Sequence, residues 1–186
     1  MKLILTSCGL QTEGIKEKFL SYLTKSPLET KAVFIPTAAV YPDAINVLPK
    51  CLRDLTKCGI PNSNITVYDM HLPISNQELL KHDVVYICGG IPHYLLQRIN
   101  EHKFGSQLNL FLKKGGIIVG VSAGSIVFAK NLPDNISIFN AELNVHCSPE
   151  NSVNVGELDL NNNECINLGN DQAIVFDDMG KACVIT

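Results

Sequence analysis

Short apolar runs alternate with longer amphipathic segments along the first two thirds of the chain. The apolar runs predict buried strands at 2–7, 31–36, 66–69, 83–88 and 117–121. Apolar residues at helical spacing predict helices at 15–23, 44–57, 77–81, 94–100 and 107–114. In the second of these helices, the predicted buried face is Val47, Leu48, Leu52 and Leu55. This alternation is typical of an α/β fold, a parallel sheet with helices on both faces, in which ligands bind at the C-terminal ends of the strands.

The pattern changes after Lys130. Residues 131–163 are rich in Asn, Pro, Glu and Ser and contain only short apolar fragments at 136–139 and 153–155, so their secondary structure is poorly determined. Two further β runs, at 173–176 and 182–185, flank a segment containing Gly180 and predict a terminal hairpin. There is no internal repeat, low-complexity tract or linker.

Composition narrows the class of protein. A chain of 186 residues with 46% hydrophobic content suits one α/β domain spanning 1–186. A net charge of −3 gives no basic surface for nucleic acid, and no stretch approaches the length of a membrane span. Seven cysteines without a C-x-x-C pair or zinc-type spacing indicate reduced thiols, most of them small core residues, and no metal site. We expect a cytoplasmic protein; the oligomeric state is not readable from the sequence.

The candidate chemistry centres on Gly120-Val121-Ser122-Ala123-Gly124. This pattern lies between an apolar strand and a helix-compatible segment that continues to Lys130, the context of a nucleophile elbow. Flanking glycines free the crowded turn of Cβ clashes, so the serine can take a strained conformation with its hydroxyl at a helix N-terminus. The plainer alternative is that Ser122 only caps a helix, although a capping serine does not need two flanking glycines.

A serine nucleophile needs a base, usually histidine, and the base needs an orienting partner. Three of the five histidines lie at element ends and are typical of solvated side chains: His71, His82 and His102. His93 follows two glycines at a strand end and is a candidate pocket residue. His146 lies downstream of the elbow, where a loop can return over the serine. The residues alone leave His146 open between a base and an ordinary loop histidine.

Gly89-Gly90 ends a buried strand. A bare amide there, together with the N–H of Ala123, would make a two-donor oxyanion hole. The alternative is a tight strand-to-helix turn, and both can hold together.

Two motifs in register resemble a known family. Ile-Cys-Gly-Gly-Ile-Pro-His-Tyr-Leu-Leu-Gln at 87–97 is similar to the G-G-N-T-F-x-L-L segment of the peptidase E family, and 120–124 to its G-x-S-A-G elbow. That family comprises aspartyl dipeptidases and cyanophycinase-like serine peptidases. The first two strands match as well, with Leu-Ile-Leu-Thr-Ser at 3–7 and Phe-Ile-Pro-Thr-Ala at 34–38, and the similarity resumes at 171–176.

The resemblance implies a flavodoxin-like three-layer sandwich with a mostly parallel sheet, related to class I glutamine amidotransferases but with serine replacing their cysteine. It also implies hydrolysis of a peptide or isopeptide bond next to aspartate, without metal or cofactor. The expected partner is therefore a small peptide substrate, and neither nucleic acid nor a membrane.

By position, Ser122 resembles the family nucleophile and Gly90 and Ala123 its oxyanion donors. The base of the family lies in a P-H-[YF] segment after the elbow helix. His146 is the downstream histidine, although Val145 and Cys147 replace its expected neighbours and the interval of 146 − 122 = 24 residues is short.

The family acid falls just before the closing strand, where Asn170 occupies the matching position with Asp171 beside it; either can orient the imidazole. Ile91-Pro92 replaces the family's Asn-Thr, which affects substrate contacts predicted for Gly89, Pro92 and His93.

The leading hypothesis is a cofactor-free serine hydrolase of small peptides, including those with an N-terminal aspartate. The alternative is an impaired family member that acts as a binding or interaction protein, since an altered base loop could leave Ser122 unactivated. The distance between Ser122 and His146 discriminates the two. An amidotransferase-like cysteine is a third candidate, but the elbow holds no cysteine and Cys88 lies inside a strand.

Overall fold

The computed structural model describes residues 1–136, 138, 140–160, 164–177 and 180–186. Its strands, in chain order, are β1 (Leu3–Thr6), β2 (Ala32–Ile35), β3 (Ile65–Val67), β4 (Val84–Ile87), β5 (Ile117–Val121), β6 (Glu142–Cys147), β7 (Gly156–Leu158), β8 (Cys165–Gly169), β9 (Ala173–Phe176) and β10 (Ala182–Ile185). Its α-helices are α1 (Glu13–Tyr22), α2 (Pro42–Lys57), α3 (Asn76–Leu79), α4 (Pro92–Glu101), α5 (Phe104–Lys113) and α6 (Ala123–Ile126).

The main sheet has eight strands in the order β3-β2-β4-β5-β1-β9-β10-β7. The first five of these are mutually parallel, and the last three pair antiparallel with their neighbours. The predicted α/β class with a mostly parallel sheet is therefore confirmed. So is the antiparallel pairing of the two terminal strands, although residues 178 and 179 of the connecting turn lie outside the described residues.

Four strands of the parallel half, β1, β2, β4 and β5, are buried and apolar on both faces because helices cover both. The edge strand β3, predicted to be buried, instead exposes Thr66 and Val67. One face packs against α1 and α2, through side chains such as Phe19 and Leu55. The other packs against α4 and α5, through Leu95, Phe104 and Leu108. These two cores make the three layers that the alternation of strands and helices predicts.

The segment after Lys130 holds order that the sequence did not predict. Strands β6 and β8 form a separate parallel two-stranded sheet, which packs on the α4–α5 side through Leu143, Ile166 and Leu168. Leu143, Val145 and Cys147 alternate with polar residues along β6, but the run is short, Leu143 alone in it is fully buried, and the surrounding segment is rich in Asn, Pro, Glu and Ser. Of the predicted apolar fragments, 153–155 forms no strand, and residues 137 and 139 of the other lie outside the described residues.

No helix in the described part of the chain combines the length and apolar character needed to cross a membrane.

Candidate active site

Ser122 lies in the sharp turn between β5 and α6. Its backbone has φ 50° and ψ −110°, a conformation that a non-glycine residue adopts only when its surroundings force it. Thr6, at the end of β1, supplies that force, since its carbonyl oxygen accepts hydrogen bonds from the Ser122 N–H at 2.9 Å and from Ser125 Oγ at 2.8 Å. The elbow is therefore fixed from the neighbouring strand.

Close packing explains the glycine after the serine. A Cβ on Gly124 would lie 2.3 Å from the carbonyl oxygen of Ile87, at the end of β4. The helix that follows is shorter than expected: α6 ends at Ile126, and turns continue the chain towards Lys130. Serine and the β-branched Ile126 and Val127 are weak helix formers, which favours this early end.

The imidazole of His146 faces the elbow from β6. Its Nε2 lies 3.0 Å from Ser122 Oγ, within hydrogen-bond range. The β6–β8 pairing is irregular between Asn144 and Cys147, and His146 itself has φ 60°. Such bulges redirect side chains next to functional sites. The His146 N–H donates to Ser7 Oγ at 2.6 Å, which ties the bulge to the main sheet.

Asn170 contacts the other ring nitrogen. Its Oδ1 lies 2.9 Å from His146 Nδ1 and also 3.2 Å from the thiol of Cys8, which donates to it. Burial raises the pKa of Cys8, with the nearby Lys50 opposing this, so the thiol keeps its proton and remains a donor.

The Asn170 amide presents Oδ1 both to the Cys8 thiol and to the ring, whose Nδ1 also lies 3.7 Å from Cys8 Sγ. With Oδ1 held towards Cys8, Nδ1 of His146 carries the proton and Nε2 is free to accept one from Ser122. This is the tautomer that a general base at Nε2 requires.

Asp171, the other residue predicted to orient the base, points elsewhere. It is exposed, and within the described part of the chain it makes no hydrogen bond to the His146 ring. Asn170 is the residue that the structure brings to Nδ1.

Gly90 and Ala123 supply the two amides predicted to stabilise an oxyanion. Within the described residues, the N–H groups of Gly90 and Ala123 donate to no protein acceptor. Gly90 has φ +142°, and a Cβ there would lie 1.9 Å from the carbonyl oxygen of Ala38. The strand end therefore approaches this neighbouring loop so closely that only glycine fits.

A cavity of about 200 Å³ opens beside Ser122 and His146. Its polar edge includes Ser7, Cys8, Gly89, Gly90 and Lys50, and its wall consists of Ala44, Val47, Leu48, Cys51, Cys88 and Val121. Val47, predicted for the buried face of its helix, is instead 48% exposed on this wall, while Leu55 is fully buried as predicted. The apolar face of α2 therefore serves both the core and the cavity.

Two other predicted contacts lie off the cavity wall. Pro92 is the first residue of α4 and His93 is exposed, and neither lines the cavity that Gly89 lines. Their contact with a substrate stays a prediction.

The cysteine alternative finds little chemical support. Cys88 is fully buried, and burial raises the pKa of its thiol well above the ordinary value of 9.0, which disfavours the thiolate. All seven cysteines are free thiols, as predicted. Three of them are buried, Cys51, Cys58 and Cys88, whereas the sequence predicted that most of the seven would be core residues. Among the described residues, no group of three or more His, Cys, Asp or Glu side chains is arranged to hold a metal ion.

Sequence reasoning missed Ser7 and Cys8 as partners of the base. Ser7 is the last residue of the strand predicted at 2–7, and ligands bind at such C-terminal strand ends; Cys8 follows it directly. That position was the available signal for both.

Solved structures share this fold. A candidate peptidase E protein from Listeria monocytogenes superposes with a TM-score of 0.75 at 19% identity, covering 100% of this chain and 98% of that one. A peptidase from an acI-B1 Actinobacterium gives a TM-score of 0.62, also at 19% identity, covering 93% and 82%. At these identities the likeness shows the fold.

Sequence comparisons show the family. An uncharacterized peptidase from Listeria innocua serovar 6a is 27% identical over 109 residues, which span 58% of this chain but about half, 52%, of that relative. The model of peptidase family S51 matches residues 3–140, which include β1 to β5, the Gly89-Gly90 strand end and the elbow. The chain therefore belongs to peptidase family S51, a family of serine peptidases.

Proposed function

We propose that this protein hydrolyses small peptides with Ser122 as nucleophile and His146 as general base. The observation that carries the proposal is the 3.0 Å distance between Ser122 Oγ and His146 Nε2. It lies within the 2.6–3.2 Å range expected of a nucleophile and its base.

In the proposed reaction, Ser122 Oγ attacks the scissile carbonyl carbon while its proton passes to His146 Nε2. The N–H groups of Gly90 and Ala123 bind the oxygen of the tetrahedral intermediate. His146 then returns the proton to the leaving amine, and water hydrolyses the acyl-enzyme by the same route. Asn170 accepts the Nδ1–H and keeps the ring in the required tautomer throughout.

The binding-protein alternative receives no support from the site. It rests on an altered base loop that leaves the serine without a base, whereas the imidazole lies in hydrogen-bond range. The aspartyl preference implied by the resemblance needs a cation near the substrate side chain, and Lys50 is the basic residue that lines the cavity. Arg98 is engaged by Glu101 and by the carbonyl of Met70.

A fluorophosphonate probe tests the proposal, because it phosphonylates activated serine hydroxyls without needing a known substrate. We expect the wild type to gain one adduct by intact-protein mass spectrometry, mapped to Ser122 by peptide digestion. Ser122→Ala should not react, whereas Ser106→Ala, which removes an exposed serine on α5, should react at the wild-type rate. An unlabelled wild type, or equal labelling of Ser122→Ala, would contradict the proposal.

A further inference from the structure

The cavity beside the nucleophile has an apolar wall, which is not expected of a site that binds an acidic side chain. Its lining on α2 comes from Ala44, Val47, Leu48 and Cys51, which recur at i, i+3, i+4 and i+7 and so present one apolar helix face. Cys88, which follows β4, and Val121, the last residue of β5, complete the apolar lining. None of these six side chains carries a positive charge that could pair with a carboxylate.

The cavity also suits the size of one side chain. Its volume of about 200 Å³ exceeds the roughly 150 Å³ of an apolar cavity known to hold benzene. It therefore has room for an isobutyl or phenyl group. The lining also includes Gly90 and Ser122, so a group in this cavity lies beside the carbonyl carbon that Ser122 Oγ attacks.

Lys50 is the feature that could favour an acidic group instead. It lies on the exposed surface of α2, where solvent screens its charge, and it is near the Asp54 carboxylate, which already lowers its net attraction for an anion. A substrate carboxylate placed against the apolar wall would lose its hydration without gaining a buried partner.

We infer that this cavity is the acyl-side specificity pocket and that it takes an uncharged apolar side chain, such as that of leucine or phenylalanine, in preference to aspartate. The inference rests on the proposed function, because it needs Ser122 to form the acyl-enzyme.

Aminoacyl p-nitroanilides test the inference, because they share one leaving group and vary only the acyl side. We expect kcat/KM for the leucyl anilide to exceed that for the alanyl anilide by about tenfold or more, as hydrophobic pockets discriminate by that much for small differences in hydrocarbon size. The aspartyl anilide should be a poorer substrate than the alanyl one. An aspartyl anilide cleaved as fast as the leucyl one overturns the inference.

A variant that fills the cavity supplies the structural test. Ala44→Phe should lower the leucyl-to-alanyl ratio of kcat/KM by about tenfold or more, because the new ring occupies the space of the leucyl side chain. Asn46→Phe adds the same ring on an exposed position of α2 off the cavity wall and should leave the ratio unchanged. Equal ratios in Ala44→Phe and the wild type overturn the inference.

The labelling experiment separates the two proposals. If fluorophosphonate labels Ser122 while leucyl substrates are not preferred, the serine hydrolase stands and the apolar pocket fails. If Ser122 is not labelled and no anilide is cleaved, both fail.

Discussion

Asn170 occupies the place where a serine hydrolase usually has a carboxylate. The Asn170→Asp variant measures how much slower the serine reacts with an amide in that place than with a carboxylate. When His146 takes the Ser122 proton it becomes an imidazolium, and a carboxylate at the same position would stabilise that charge more than an amide does. We expect Asn170→Asp to react faster with the fluorophosphonate probe than the wild type.

The magnitude follows from the geometry. With Oδ1 2.9 Å from Nδ1, a new charge would lie about 4 Å from the centre of the imidazolium, an attraction of about 1 kcal/mol in water and about 4 kcal/mol at an effective dielectric constant of 20. Both His146 and Asn170 are exposed, so the lower figure applies. A gain of about 1 kcal/mol corresponds to a rate increase of about fivefold.

The assay is the second-order rate constant of phosphonylation, measured for both proteins at the same pH. Asp171→Asn is the matched control, because it exchanges the same groups on the neighbouring residue that makes no bond to the ring; its rate should stay within about twofold of the wild type. A folded Asn170→Asp that reacts no faster, or a tenfold loss in Asp171→Asn, would refute the assignment of Asn170 as the residue that orients the base.

Two further predictions concern the supports of the site. Gly90→Ala should lower the free energy of unfolding in urea by about 2 kcal/mol and slow phosphonylation about 100-fold, because a Cβ meets the Ala38 carbonyl at 1.9 Å and displaces an oxyanion donor. The control is Gly115→Ala, where φ is +88° but no atom lies within 4 Å; it should lower the free energy of unfolding by only about 1 kcal/mol and leave labelling intact. Labelling of Gly90→Ala at the wild-type rate would count against the oxyanion assignment. Burial raises the pKa of Asp54 above its ordinary value of 3.8, so its stabilising contribution is present at low pH and declines as pH rises through the raised pKa. The asparagine side chain of Asp54→Asn does not titrate, so the melting temperature of this variant should rise relative to that of the wild type as the pH increases from 4 to 7. A difference in melting temperature that stays constant over this range would contradict the prediction.

The sequence was sufficient for the parallel half of the fold because its strands are local features. Ile117 to Val121 is an apolar, mostly β-branched run that two glycines precede and that only Gly120 interrupts, and this composition is typical of buried parallel strands. The elbow was predictable for a similar reason: Gly124 is needed where the turn passes the Ile87 carbonyl, and a glycine at that spacing is visible in the sequence.

The residues that contact His146 could not be predicted from local sequence patterns. Cys8, His146 and Asn170 come from three distant parts of the chain, and their contacts depend on the β6–β8 register and on the irregularity at its end. Asn170 and Asp171 both lie in the turn that follows β8, so which of them reaches the ring depends on the residue at which that strand ends. Local pattern carries no information about that register.

The site is thereby assembled from two sheets with different roles. Ser122 and the amides of Gly90 and Ala123 belong to the main sheet and its turns. His146 and Asn170 instead flank the paired ends of β6 and β8, where Cys147 faces Gly169: His146 precedes Cys147, and Asn170 follows Gly169. The pairing of β6 and β8 thus holds His146 and Asn170 next to each other, and the packing of this small sheet on the main sheet holds them next to Ser122. The bond from the His146 N–H to Ser7 Oγ, at 2.6 Å, joins the two, since Ser7 follows the strand whose Thr6 carbonyl fixes the elbow. Any change that separates the small sheet from β1 should therefore remove the base from Ser122 while leaving the elbow and its amides in place.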